Sequence, residues 1–215
     1  MMSQYLALKE KYSDCLLFFR LGDFYEMFFE DAVTASKVLD IALTGRDCGL
    51  ETRAPMCGVP FHAVDSYIAK LIENGYKVAL CEQLTDPALS KGLVERDVVR
   101  VYTAGTVIEE NMLDERANNY IIAMYASSDE VGLACCDVST GSFTVSEISI
   151  ADKMDDLVNE LARIAPREAI ANEAYFLRRE DMAKSLQLSC AVTCADSRDF
   201  EPTRAEAKAV SYTHL

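Results

Sequence analysis

A chain of 215 residues, half of them hydrophobic, is long enough for one large domain or two small ones, and a packed core is expected. With 35 acidic against 21 basic residues the net charge is −14, which argues against a general nucleic-acid binder held by a basic surface. No apolar run is long enough to cross a bilayer and the N-terminus lacks a charged-then-apolar signal segment, so a cytoplasmic protein is expected.

Ser3 is placed to cap a first helix running to about Tyr12. Cys15 to Leu21 is a short, continuous apolar stretch with one arginine and reads as a buried strand. Gly22-Asp23 is a turn-forming pair, after which Phe24-Tyr25-Glu26 reads as extended. Side chains two apart then share a face, placing Phe24 and Glu26 together and Tyr25 opposite. A projecting ring beside a carboxylate can stack or wedge while the acid accepts a hydrogen bond. Composition alone allows a plainer alternative, in which Phe24 continues a buried stripe with Phe18, Phe19, Phe28 and Phe29 and Glu26 is a solvated charge.

A helix is predicted from Glu30 to Leu39, ending near Asp40, with acids in its first turn where the helix dipole favours them. A short strand at Ile41–Thr44 follows, then a loop from Gly45 to Gly58 carrying Arg46 and Arg53. Pro60 introduces a helix from Phe61 to about Asn74, stopped by Gly75. His62, in its first turn, reads as a structural polar contact. Strands are predicted at Tyr76–Gln83 and Asp97–Tyr102, separated by a loop with Pro87 and Gly92. The charged stretch from Glu109 to Arg116 reads as a linker.

Beyond it, strands are predicted at Tyr120–Tyr125, Val131–Val138 and Ser142–Ile148, with Ser139-Thr140-Gly141 closing a hairpin. A helix from Asp152 to Ile164, a strand at Glu168–Ala171, and a further helix and strand to about Thr193 complete the pattern. Hairpin strands followed by alternating helices and strands suit a ribonuclease H-like sheet. The fold class is therefore α/β in two domains, a mixed-sheet domain over 1–115 and a ribonuclease H-like one over 116–200. Residues 201–215 are expected to be a truncated tail whose last five residues are foreign. Eight cysteines lie in ordinary apolar segments and only Cys190 and Cys194 are close together; with His62 and His214 the only histidines, no metal site is expected.

The run Leu17-Phe18-Phe19-Arg20-Leu21 leading into Gly22-Asp23-Phe24-Tyr25-Glu26-Met27-Phe28 resembles the mismatch-reading segment of the bacterial MutS family of DNA mismatch-repair proteins. In order and spacing, so do Met2-Ser3-Gln4-Tyr5-Leu6, the turn from Ala54 to Ala63, Cys81-Glu82-Gln83-Leu84, Val94-Glu95-Arg96 through Gly105-Thr106, and Asp137-Val138-Ser139-Thr140-Gly141. The similarity is strong over about residues 1–150 and thinner beyond. Ala104 departs from it, standing where the family usually has proline, so this loop lacks that restraint on its backbone angle.

The resemblance implies a mismatch-recognition domain followed by a connector domain. It implies that Phe24 enters the minor groove and stacks on a mispaired base while Glu26 contacts an edge of that base. Arg46, Arg53, Arg96 and Arg100 are candidates for contact with the DNA backbone, in a wider set with Arg20, Lys70, Lys77 and Lys91. Implied partners are mismatched double-stranded DNA and other mismatch-repair proteins, with dimers formed by the full-length family. ATP and Mg²⁺ belong to that full-length family; this sequence contains no Gly-x-x-x-x-Gly-Lys-Ser/Thr loop, so the fragment is expected to need no cofactor and to be no enzyme. The protein is expected to associate with the nucleoid when acting on DNA. Two other functions stay open: a protein-interaction module in residues 120–200, and a metal-dependent nuclease built on Asp137 with Asp152, Asp155, Asp156 and Glu160.

Overall fold

The computed structural model describes residues 1–49, 53–85, 94–114, 116–150, 154–177, 188 and 190–212. The chain divides into two compact units, Met1–Leu113 and Asp114–Leu215. The segment read as a linker, Glu109 to Arg116, is divided by this boundary: Glu109 pairs with Arg100, and Met112, on a short 3₁₀ turn at Glu110–Met112, packs against the first unit's core.

The first unit begins with α1 (Met2–Lys11), which starts one residue before Ser3 and has no side-chain cap, so Ser3 lies within the helix rather than at its boundary. Strand β1 (Cys15–Leu21) follows as predicted, its first five residues buried because both faces of the sheet are covered. The chain turns at Gly22-Asp23 into β2 (Phe24–Phe28), with Leu21 opposite Phe24. Phe29, with φ of 54°, makes the corner from β2 into α2 (Phe29–Leu39) without an intervening loop residue. Asp40 ends α2 in the left-handed region, its amide donating to the Ser36 carbonyl.

The predicted strand at Ile41–Thr44 and the loop at Gly45–Gly58 are corrected by the structure. Pairing starts only at β3 (Thr44–Arg46), and β4 (Ala54–Pro60) occupies the end of the supposed loop. Glycine and proline masked this strand, but Pro55 lies past the end of β2 and is opposed only by Gly45, where its missing amide proton breaks little of the ladder. A 3₁₀ turn (Phe61–Ala63) leads into α3 (Val64–Glu73), followed by β5 (Lys77–Gln83) and β6 (Arg96–Tyr102). The predicted loop residues Pro87, Lys91 and Gly92 lie outside the described residues.

The six strands are ordered β3-β4-β2-β1-β5-β6, with β1 and β5 parallel and the other pairs antiparallel. Leu16, Phe18, Tyr25 and Met27 face α2 and α3, while Leu17, Phe19 and Phe28 face Tyr5 and Leu8 of α1. Asp31 is buried between the two elements it joins. It accepts from the Tyr5 hydroxyl at 3.2 Å and the Leu17 amide at 3.0 Å, and pairs with Lys9 at 2.9 Å.

The second unit contains β7 (Tyr120–Ala126), β8 (Glu130–Asp137), β9 (Ser142–Ser149), α4 (Met154–Ile164), β10 (Glu168–Ala171), α5 (Glu173–Leu177), β11 (Val192–Cys194) and α6 (Pro202–Tyr212). Asp152 and most of the segment between α5 and β11 lie outside the described residues, as do Thr213, His214 and Leu215 of the supposed foreign tail. The sheet order is β11-β10-β7-β8-β9, with an antiparallel meander from β7 to β9 and parallel additions of β10 and β11 on the other side. This is the layout expected of a ribonuclease H-like sheet. Leu157, Leu161 and Ile164, at helical spacing on α4, pack against Ile122, Met124 and Leu133.

Candidate nucleic-acid interface

The hairpin β1–β2 is closed by two residues, and of these only Gly22 has positive φ, at 60°. Glycine at the first central position is the requirement of a type II′ turn, whose twist matches that of the flanking strands. The turn is held from outside: the Phe61 amide donates to the Asp23 carbonyl at 3.0 Å, and the Arg20 guanidinium donates to the Gly22 carbonyl. That guanidinium also lies 4.0 Å above the Phe61 ring and 3.6 Å from Glu82. Tyr25, directed inward, donates its hydroxyl to Glu82, and burial pushes its phenol pKa far up.

The alternation predicted for Phe24-Tyr25-Glu26 is present: Phe24 is 48% exposed, Tyr25 3%. Phe24 therefore does not continue the buried aromatic stripe, although Phe18, Phe19 and Phe28 are wholly buried. Glu26 stands opposite Gly58, where an added Cβ would lie 3.3 Å from the Tyr25 carbonyl oxygen and 3.5 Å from Cγ of Glu26. The bare backbone at Gly58 thus leaves room for the carboxylate.

The arginines are placed very differently from one another. Arg46, on the outermost strand, forms an ion pair with Glu26, a contact no sequence spacing indicated. Arg53 is exposed. Arg96 is turned inward: it donates to the Arg20 carbonyl at 2.9 Å and the Val94 carbonyl at 3.0 Å, and its guanidinium lies 5.2 Å from the Phe19 ring. Arg100 is bound by Glu109 and lies 4.4 Å over the Tyr102 ring. The structure therefore brings Phe24, Glu26 and Arg46 together and commits Arg96 and Arg100 to bonds inside the domain.

Asp137, the acid around which a nuclease centre would be built, is buried and occupied by the β8–β9 turn. It accepts from the Ser139 hydroxyl at 2.6 Å and from the amides of Ser139, Thr140 and Asn119 at 3.0, 3.3 and 3.1 Å. The Ser139 hydroxyl above all, with these amides, holds its carboxyl below the usual carboxylate range against the opposing effect of burial. Asp155 and Asp156 lie on the solvent side of α4, and Glu160 pairs with Arg163 at 2.7 Å. Among the described residues no three His, Cys, Asp or Glu side chains converge as a metal site would require. Cys15, Cys57, Cys81 and Cys135 are buried free thiols, and burial pushes Cys15 and Cys57 up to about 11 and Cys81 to about 12.

No described helix is long and apolar enough to cross a membrane. Comparison with known proteins places two domain models on the chain, MutS domain I over residues 1–111 and MutS domain II over residues 119–212. The DNA mismatch repair protein MutS of Acetivibrio thermocellus is 56% identical over 87% of this chain and 21% of its own length. Those of Ruminiclostridium cellulolyticum and Caldanaerobacter subterraneus are 59% and 50% identical, over 80% and 94% of this chain and 20% and 23% of theirs. A solved Bacteroides thetaiotaomicron protein with an actin-like ATPase fold and unknown function aligns at a TM-score of 0.30 and 8% identity, over 88% of this chain and 70% of its own, too remote to support an argument. The chain spans about a fifth of the length of the curated relatives it matches. With one model covering its first unit and the other its second, the chain belongs to the MutS family of DNA mismatch repair proteins.

Proposed function

We propose that this chain carries the mismatch sensor of a DNA mismatch-repair protein, and that it works by pressing Phe24 into the minor groove. The observation that supports this most is the exposed Phe24 ring at the mouth of a hairpin whose neighbouring residues are anchored in the core. Unstacking a base costs a few kcal/mol, and less where pairing is already defective, so an aromatic wedge separates mispaired from paired DNA without reading each mispair. Glu26, two residues on and on the same face, accepts a hydrogen bond from an edge of the displaced base. Arg53 is the exposed arginine of this region available for phosphate contact. ATP and Mg²⁺, and the assembly of dimers, belong in this proposal to parts of longer relatives that this chain does not span. The protein acts in the cytoplasm, on nucleoid DNA.

The test is a comparison of binding to perfect and singly mispaired duplexes. Phe24→Ala is expected to remove the preference for the mispaired duplex while leaving the fold intact; unchanged preference would overturn the wedge.

A second role is favoured by β9, an eight-residue edge strand on which Phe143 and Val145 are 65% and 71% exposed. An open edge with apolar side chains suits addition of a partner's strand, and the second unit is proposed to meet other repair proteins there.

A further inference from the structure

The wedge strand carries its own counter-ion. Among the arginines of the first unit, Arg20, Arg46 and Arg100 are each held by a carboxylate: Glu82, Glu26 and Glu109 respectively. Only the carboxylate holding Arg46 lies on β2, two residues from Phe24. Register puts all three groups on one face of the sheet, since Phe24 is opposite Pro60, Glu26 opposite Gly58, and Arg46 opposite Ala54, positions separated by even numbers of residues along β4. The Arg46 side chain is 37% exposed and that of Glu26 16%, so the pair stands at the surface beside the ring that would enter the groove.

We propose that Glu26 masks Arg46: the carboxylate occupies a guanidinium that would otherwise bind a DNA phosphate, and releases it only where a displaced base offers Glu26 a hydrogen bond in exchange. This rests on the minor-groove reading above and adds Arg46 to it. On perfect duplex the exchange is incomplete. A phosphate that draws Arg46 away only replaces one charge-assisted bond to the guanidinium with another and offers nothing to Glu26, and the pair stays closed. On mispaired duplex both bonds are replaced, Arg46 taking a phosphate and Glu26 the base edge. Phosphate contact, which carries no sequence information by itself, thereby becomes conditional on the state of the base pair.

Masking and simple repulsion of phosphate by Glu26 give different results when Arg46 is removed. Both predict that Glu26→Gln tightens binding to perfect duplex, but only masking requires Arg46 for that gain. Binding of the 215-residue chain to labelled perfect and mispaired duplexes is measured at low salt by fluorescence anisotropy for E26Q, R46Q, R46Q/E26Q, R46K and R46K/E26Q, with thermal unfolding of each variant recorded alongside. E26Q is expected to tighten binding to perfect duplex by about three- to tenfold, the scale of a surface ion pair released to a phosphate. In the R46Q background the same change is expected to alter binding by less than about twofold, the non-additivity of two residues that act as one contact. In the R46K background, where a cation is retained, the gain is expected to return. An equal gain from E26Q with and without Arg46 would overturn masking while leaving the wedge untouched; F24A in the same titrations reports on the wedge separately, through loss of the preference for mispaired DNA.

Discussion

At the scale of single residues, neighbours of similar chemistry have opposite duties. Phe24 and Tyr25 are adjacent aromatics, yet one is half exposed and the other sealed against Phe18 with its hydroxyl on Glu82. Stability separates them: Phe24→Ala is expected to change the unfolding free energy by less than ~0.5 kcal/mol and Tyr25→Ala to lower it by ~3 kcal/mol, measured by denaturant unfolding. Asp137 shows how an acid can resemble a catalytic group in sequence and be a turn staple in structure. Its carboxyl pKa is depressed in the folded chain, so its stabilising contribution is complete above the unfolded value of ~3.9 and is lost as the pH falls through the folded one. Asp137→Asn is therefore expected to destabilise the second unit by ~1–3 kcal/mol at pH 7. The gap from the unsubstituted chain should close on acidification below pH ~4, followed by unfolding of the β8–β9 hairpin across that range. A gap that stays constant with pH would show that the carboxylate charge is not what the turn requires.

At the scale of elements, the β1–β2 hairpin and the ion pairs around it decide how Phe24 and Glu26 are presented. Gly22 has open space where a Cβ would be, so its requirement is conformational rather than steric. With φ at 60°, Gly22→Ala is expected to destabilise the first unit by ~1 kcal/mol, whereas D-alanine at the same position, introduced by peptide ligation, should be tolerated. Differential unfolding of the two chains distinguishes backbone strain from lost packing. The hairpin was legible beforehand because Gly22-Asp23 interrupts an apolar run and a two-residue turn sets the register. Strand β4 was not, since glycine and proline at Pro55, Gly58 and Pro60 are loop residues by local rules and become strand residues only when β2 and β3 supply partners.

At the scale of the whole molecule, the 215-residue chain carries a net charge of −14, and much of the basic complement near Phe24 is already engaged by carboxylates or carbonyls. The 215-residue chain is therefore expected to bind duplex DNA feebly, with a Kd on the order of 10⁻⁴ M or weaker at physiological salt, improving steeply as salt is lowered. Tight binding at that salt, measured by anisotropy, would mean that the chain grips DNA through surfaces other than the one around Phe24. The sequence by itself determined the alternation of Phe24, Tyr25 and Glu26, the α/β class, most of the strands and the family, because periodicity and turn chemistry are local and the motifs are contiguous. What only the tertiary structure decided is which charges are free. Arg46 finds Glu26, Arg100 finds Glu109, and Arg96 turns toward Phe19, because side chains distant along the chain are brought together by strand order, and a guanidinium's availability to DNA depends on the neighbours that folding provides.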